Sequence, residues 1–256
     1  MSAITCCRNE RTSKVALVTG STSGIGLAIA RALSEQGYRL ALHSRRSTER
    51  GRTLAAGLPQ AIYFAADLMQ EKARYELVDA VRNRFGRLDV LVNNAGTSLT
   101  IPHDDMLAAT PELWREQHEL HVIAPWQLIA LAKDLLAKAV EAEGIPGAIV
   151  NIASHAGIRP KGASIPYAVS KAGLIHMTRL LAKALAPAIR VNAVAPGLVD
   201  TPMTEGWSEI RQQWRRDAPM GRGAKPEEIA QTVLALIEST YLTGEVILLD
   251  GGMHLR

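Results

Sequence analysis

Short apolar runs rich in β-branched residues recur along this chain. Between them lie longer stretches in which apolar positions return every three or four residues. The short runs fall at 15–18, 39–43, 61–65, 90–92, 148–152, 190–193 and 246–249. Runs this brief and this continuously apolar predict strands buried on both faces, and the spacing between them predicts the helices that cover those faces. Strand alternating with helix implies right-handed crossovers, hence an α/β fold with one doubly wound parallel sheet of about seven strands. In such a sheet, ligands bind at the carboxyl ends of strands, where the winding reverses.

Two segments at predicted strand ends carry chemistry. The run at 15–18 is followed by Thr19-Gly-Ser-Thr-Ser-Gly-Ile-Gly26 and then by helical spacing over 27–36. Gly20, Gly24 and Gly26 permit a tight turn and close approach by a ligand, while the next helix offers unpaired N–H groups and a positive dipole end. A dinucleotide pyrophosphate suits that environment. The spacing G-x-x-x-G-x-G departs from the usual G-x-G-x-x-G fingerprint, so a tight βα connection with no ligand stays open on this motif alone. Farther along, Tyr167 and Lys171 stand four residues apart at the start of a predicted helix, on one face. A cation beside a phenol favours the phenolate and brings the hydroxyl toward proton exchange at neutral pH, although such pairs are also common on ordinary helix surfaces.

Composition narrows the classes. A chain of 256 residues that is 47% hydrophobic can bury one large core, and no linker or repeat divides it. Residues 1–12 read as a flexible leader and 13–256 as a single domain. The formal charge of +4 is spread along the chain without a basic tract, which argues against a nucleic-acid partner. Cys6 and Cys7 are the only cysteines and are adjacent, which suits a reducing cytoplasm better than a disulfide framework. No run approaches about 18 consecutive apolar residues, so no membrane span is predicted. The histidines and cysteines show no metal-ligand spacing. Asp104 and Asp105 read as a solvated turn.

Taken in order, Thr19-Gly-x-x-x-Gly-Ile-Gly26, Asn93-Asn-Ala-Gly96, Ser154, Tyr167-x-x-x-Lys171 and Pro196-Gly197 resemble the short-chain dehydrogenase/reductase family over residues 13–253. That resemblance implies a Rossmann-type fold and a nicotinamide cofactor. It also implies a proton donated by Tyr167, a substrate oxygen held by Ser154, and a Lys171 that lowers the tyrosine pKa and binds the nicotinamide ribose. It places the cofactor along Gly20, Thr22, Ser23, Gly24, Ile25 and Gly26, then against Asp67 and Leu68 after the third strand. Asn93, Asn94, Ala95 and Gly96 would line the cleft, and Pro196, Gly197, Val199 and Thr201 would pass the nicotinamide. His155, Ile158 and Trp207 would edge the substrate pocket.

Cofactor choice rests on the turn after the second strand. NAD-binding folds of this kind usually place a carboxylate there, against the adenosine ribose. Here the chain reads His43-Ser44-Arg45-Arg46, with Ser44 where the family's NAD-binding members tend to carry aspartate. A guanidinium fork suits a 2′-phosphate, so Arg45, helped by Arg46, points to NADP(H), the alternative being two solvated loop arginines.

His121 occupies a site where the family often has asparagine in a proton-relay chain. It is either a substitute relay or a packed histidine. Residues 204–220, with Trp207 and Trp214 among charges, form either a lid over a substrate or a helix packed on the body. The last strand resembles the family's intersubunit segment and implies a homotetramer. The compact link before it and His121 resemble pteridine-reducing members, while the glycine turn and Tyr-Lys segment are closer to 3-oxoacyl-[acyl-carrier-protein] reductases. The expected function is an NADP(H)-dependent oxidoreductase interconverting a ketone and a secondary alcohol, with a 3-oxoacyl thioester favoured. A pteridine or sugar carbonyl reductase and a non-catalytic NADP-binding regulator are the alternatives.

Overall fold

Seven strands form at the seven apolar runs: β1 (Val15–Val18), β2 (Arg39–Ser44), β3 (Ala61–Ala65), β4 (Val90–Asn93), β5 (Gly147–Ile152), β6 (Ile189–Pro196) and β7 (Val246–Leu249). The computed structural model describes residues 14–256, so the expected leader and Cys6 and Cys7 lie outside the described residues. Every pairing is parallel, in the order β3-β2-β1-β4-β5-β6-β7. The winding therefore reverses between β1 and β4. β6 continues to Pro196, beyond its expected end at 193, because β5 and β7 flank it on both sides.

Among the described residues, eight α-helices accompany the sheet: α1 (Gly24–Glu35), α2 (Thr48–Gly57), α3 (Glu71–Phe85), α4 (Pro111–His118), α5 (Ala124–Glu143), α6 (Ile165–Leu185), α7 (Ser208–Asp217) and α8 (Pro226–Glu238). The strands feed both layers by simple alternation. Val15, Leu17, Leu91 and Ile149 pack against Leu77 and Val81 of α3 and Leu128 and Leu135 of α5. Ala16, Val18, Val92 and Val150 face the other way, onto Ile29 and Leu33 of α1 and Ile229 and Val233 of α8. Each fully buried leucine or isoleucine contributes about 2 kcal/mol through removal from water, so both layers are held by many equivalent contributions.

Among the described residues, one run, Pro111–Glu141, has the length and mean hydropathy, 1.3, of a membrane-crossing helix, with half of that window buried inside the protein. Leu128, Ile129, Ala132, Leu135 and Leu136 put its inner face in the core, which accounts for the apolar composition. Between α4 and α5 the helix widens into a π-helical turn, Glu119–Ile123, that contains His121. Pro125 lies in the first turn of α5 and lacks an N–H, so the regular hydrogen-bond ladder cannot continue through it.

Candidate active site

The carboxyl ends of β1, β4, β5 and β6 open on a cleft of about 530 Å³. Its floor begins at the glycine turn. Gly20 adopts φ 66°, and a Cβ there would sit 3.0 Å from Ala95 Cα and from Asn94 Nδ2. Asn94 ties this turn to the end of β4: its Nδ2 donates to Thr19 O at 2.8 Å and to Gly20 O at 3.2 Å. The Thr19 hydroxyl oxygen accepts from the backbone N–H groups of Asn94 and Ala95 at 2.9 and 3.0 Å.

His43 pins the same turn from the other side. Gly20 N–H donates to its Nδ1 at 3.3 Å, and its Nε2 lies 3.0 Å from Ala66 O, so the proton resides on Nε2. Burial holds the ring's pKa at about 4. The folded value is depressed, so the unfolded chain binds the extra proton first, and stability present above about pH 6.5 is lost as the pH falls toward 4. A shift from 6.5 to about 4 corresponds to about 3 kcal/mol. His121, also depressed by burial and then by the charge of Lys171, adds loss of the same sign. Urea unfolding at pH 7 and pH 4.5 is expected to show this loss, with a shallower pH slope in His43→Asn. A slope unchanged by that substitution would remove His43 as the cause.

The residues fit a bound dinucleotide. α1 opens on the cleft with Ser23 at its N-cap, no side-chain cap bond and no acidic residue in its first turn, so N–H groups and dipole are left for an anion. Asp67 and Leu68 line the cleft beyond β3. Arg45 and Arg46 stand exposed at its rim after β2. The Ser44 hydroxyl is 2.8 Å from Tyr63 OH, so it is already engaged within the sheet edge.

The opposite wall carries the reactive hydroxyls. Ser164 caps α6 by accepting from Tyr167 N–H at 3.4 Å, and Pro166 presets the first turn, so the phenol projects from a defined helix start. One turn on, Lys171 is buried and its Nζ donates to Ile152 O at 2.8 Å, 5.8 Å from the centre of the Tyr167 ring. Ser154 follows β5 and caps a short 3₁₀ turn, accepting from Ala156 N–H at 3.2 Å. Its hydroxyl is near enough to the Tyr167 phenol to draw the phenol's pKa down. Two hydroxyls thus converge on one spot.

Burial raises the Tyr167 pKa, and the Ser154 hydroxyl only partly opposes this. Burial also pulls Lys171 down to about 7. Sequence spacing predicted a phenol acidified by a full cation, but desolvation acts on both groups and leaves the amine able to release its proton near neutrality.

His121 lines the cleft with both ring nitrogens engaged. Nε2 accepts from Thr97 N–H at 3.3 Å, which leaves the proton on Nδ1, 2.9 Å from Ser170 Oγ. Ser170 in turn donates to Tyr167 O at 2.7 Å. The imidazole also meets the Tyr167 ring edge-on, centroids 5.4 Å apart. These bonds and the ring contact hold the imidazole in place against the tyrosine.

Most of the expected positions surround this one cleft: Gly20, Thr22, Ser23, Gly24, Ile25, Ala95, Gly96, Pro196, Gly197, Val199, Thr201, His155 and Trp207 all line it. Three do not. Gly26 lies behind the turn, where a Cβ would be 2.3 Å from Gly20 O, so its role is close packing of helix against loop. Asn93 is buried and donates to Asn151 Oδ1 at 2.9 Å, bridging β4 and β5. Ile158 is 43% exposed and does not line the cleft. Residues 204–220 contain α7, whose Ile210, Gln213 and Trp214 line the cleft, a placement that suits the lid reading. Sequence reasoning missed His43 and Asp250, because neither belongs to a local motif.

The family model described as Enoyl-(Acyl carrier protein) reductase matches residues 20–254. A protein of Streptomyces violaceoruber designated ketoacyl reductase 2 of the granaticin polyketide synthase is 50% identical over 244 residues, 94% of this chain and 96% of that protein. The 3-oxoacyl-[acyl-carrier-protein] reductase FabG of Thermotoga maritima is 37% identical over 248 residues, 94% of this chain and 97% of its own length. Among solved structures, the Pseudomonas aeruginosa RhlG/NADP active-site complex superposes with TM-score 0.86 at 32% identity, covering 96% of this chain and 99% of that one.

Proposed function

The chain belongs to the short-chain dehydrogenase/reductase family, oxidoreductases that act on ketones with a nicotinamide cofactor, and on that premise we propose an NADP(H)-dependent reductase of 3-oxoacyl thioesters. The carrying observation is the convergence of the Ser154 and Tyr167 hydroxyls in the cleft wall, with Lys171 behind them. A ketone oxygen placed between the two hydroxyls accepts a hydrogen bond from Ser154 and takes its proton from Tyr167 as negative charge develops on it. The nicotinamide, when bound, supplies the hydride. Lys171, with its pKa near 7, replenishes the phenol's proton or holds positive charge beside it. α7 shields the reacting oxygen from water. The thioester assignment draws on the names of the Streptomyces and Thermotoga relatives, and NADP on Arg45 and Arg46.

A panel of acetoacetyl thioester, dihydropterin and sugar ketone at one NADPH concentration tests the substrate class. Fastest turnover of the thioester is expected. A faster dihydropterin or sugar ketone would replace it with the corresponding reductase, and no turnover of any would favour an NADP-binding regulator. Arg45→Ala is expected to weaken NADPH binding on the order of tenfold or more, the scale of one charge-assisted hydrogen bond, with NADH affinity nearly unchanged. Equal losses by calorimetry for both cofactors would refute the phosphate clamp. The proposed assembly is a cytoplasmic homotetramer or homodimer, supported by Trp126, Ile123, Val169 and Leu180 standing exposed on the α5 and α6 side of the molecule.

A further inference from the structure

His155 follows Ser154 directly and sits in the wall of the same cleft, 5% exposed. Its Nδ1 is 2.8 Å from Oδ2 of Asp250, a residue 95 positions away at the end of β7. The Asp250 carboxylate is a saturated acceptor. Oδ1 takes the Gly252 N–H at 3.0 Å and the His254 Nδ1 at 2.8 Å, and Oδ2 also takes the His254 N–H at 3.0 Å. Burial opposes ionisation of this carboxyl, yet the hydrogen bonds from His254 and His155 hold its pKa below the ordinary value. An ionised carboxylate fixes the proton of His155 on Nδ1. Burial outweighs the influence of Asp250 and keeps the imidazole below its usual pKa, so the ring is neutral at pH 7 and Nε2 carries a bare lone pair.

That lone pair has no hydrogen-bond partner among the described residues, although the atom is buried. The imidazole meets the Trp214 ring of α7 edge-on, with centroids 5.9 Å apart. Trp214 also packs over Gly197, where a Cβ would be 2.6 Å from its Cζ2. A buried, unpartnered acceptor in the cleft wall, one residue from Ser154, is placed to be completed by a ligand.

We propose that His155 is a specificity residue whose Nε2 accepts a hydrogen bond from a hydroxyl carried by the substrate near the reacting ketone, so that the enzyme selects hydroxylated ketones over their deoxy counterparts. The inference rests on the ketone-reductase reading and adds the chemical feature recognised beside the carbonyl. Asp250 acts through His155, as the residue that sets its tautomer.

The N-acetylcysteamine thioesters of 5-hydroxy-3-oxohexanoate and 3-oxohexanoate form the test pair, assayed with NADPH. The wild-type kcat/KM is expected to favour the hydroxylated thioester by about tenfold, the value of one hydrogen bond to a buried acceptor. His155→Phe should reduce that ratio to near one, read as the two kcat/KM values of the same variant whatever its absolute rate. His155→Gln, which keeps an acceptor oxygen, should restore part of the preference. A wild-type ratio near one, or a ratio that survives in His155→Phe, overturns the proposal. An independent readout needs no turnover and no variant: the ¹⁵N resonance of His155 Nε2 in the wild-type NADP⁺ complex. It should move toward the hydrogen-bonded position when the hydroxylated thioester is added and stay put with the other, and no difference between the two overturns the assignment. Loss of reductase activity on both thioesters with the ¹⁵N difference intact would instead count against the ketone-reductase reading alone.

Discussion

Tyr167→Phe is expected to lower kcat for ketone reduction by about 10²- to 10⁴-fold, the range a positioned general acid contributes. Cofactor affinity should stay within about threefold of wild type. The substitution removes one oxygen and leaves everything else that fixes the ring: the backbone cap from Ser164 and the edge-on contact with His121. Thermal stability should therefore change little. The loss should appear in single-turnover measurements with saturating cofactor and ketone, since a group that acts on developing charge affects the chemical step. Turnover retained within tenfold would remove Tyr167 as the acid and transfer the proton to another donor in the cleft. Because burial raises this phenol's pKa, it is protonated at neutral pH, the form a reductase needs.

Gly26→Ala is expected to damage both stability and cofactor binding. A Cβ there would lie 2.3 Å from Gly20 O and 2.4 Å from Asn94 Nδ2. Backbone cannot yield as a flexible side chain can, so α1 must lift off the turn or the bonds from Asn94 to Thr19 and Gly20 must break. Overpacking of this kind costs about 1 to 3 kcal/mol, and the displaced turn should weaken NADPH binding by at least tenfold. Gly57→Ala is the control, because nothing lies within 4 Å of a Cβ at that position. Differential scanning calorimetry and cofactor titration of both variants decide the matter. If Gly26→Ala matched the control in both, the close-packing role would be excluded.

How far the sequence was legible depends on the range of the interaction involved. Strand positions were readable to within a residue or two, except at β6, whose length is set by neighbours on both sides. The glycine turn, Ser154, Tyr167 and Lys171 were readable because each belongs to a motif of fixed spacing at a strand end or helix start. Gly26 was legible as part of the motif, but its tight packing against Gly20 O and Asn94 Nδ2 appears only in the folded structure. The partners of His121, Thr97 and Ser170, were not legible in the sequence, because the fold brings them together from separate segments.

By itself the sequence determined what is local: short, continuously apolar strands, helical spacing, the turn that suits a phosphate, and the pairing of phenol and amine on one helical face. Those follow from backbone geometry over a few residues. Tertiary structure alone decided the ionisation of that pair, because desolvation depends on everything packed around it. It likewise decided the pinning of the glycine turn by His43, which arrives from β2, and the seating of His155 against Asp250. Burial and contacts between residues 23 or 95 positions apart are properties of the folded packing, and no local spacing encodes them.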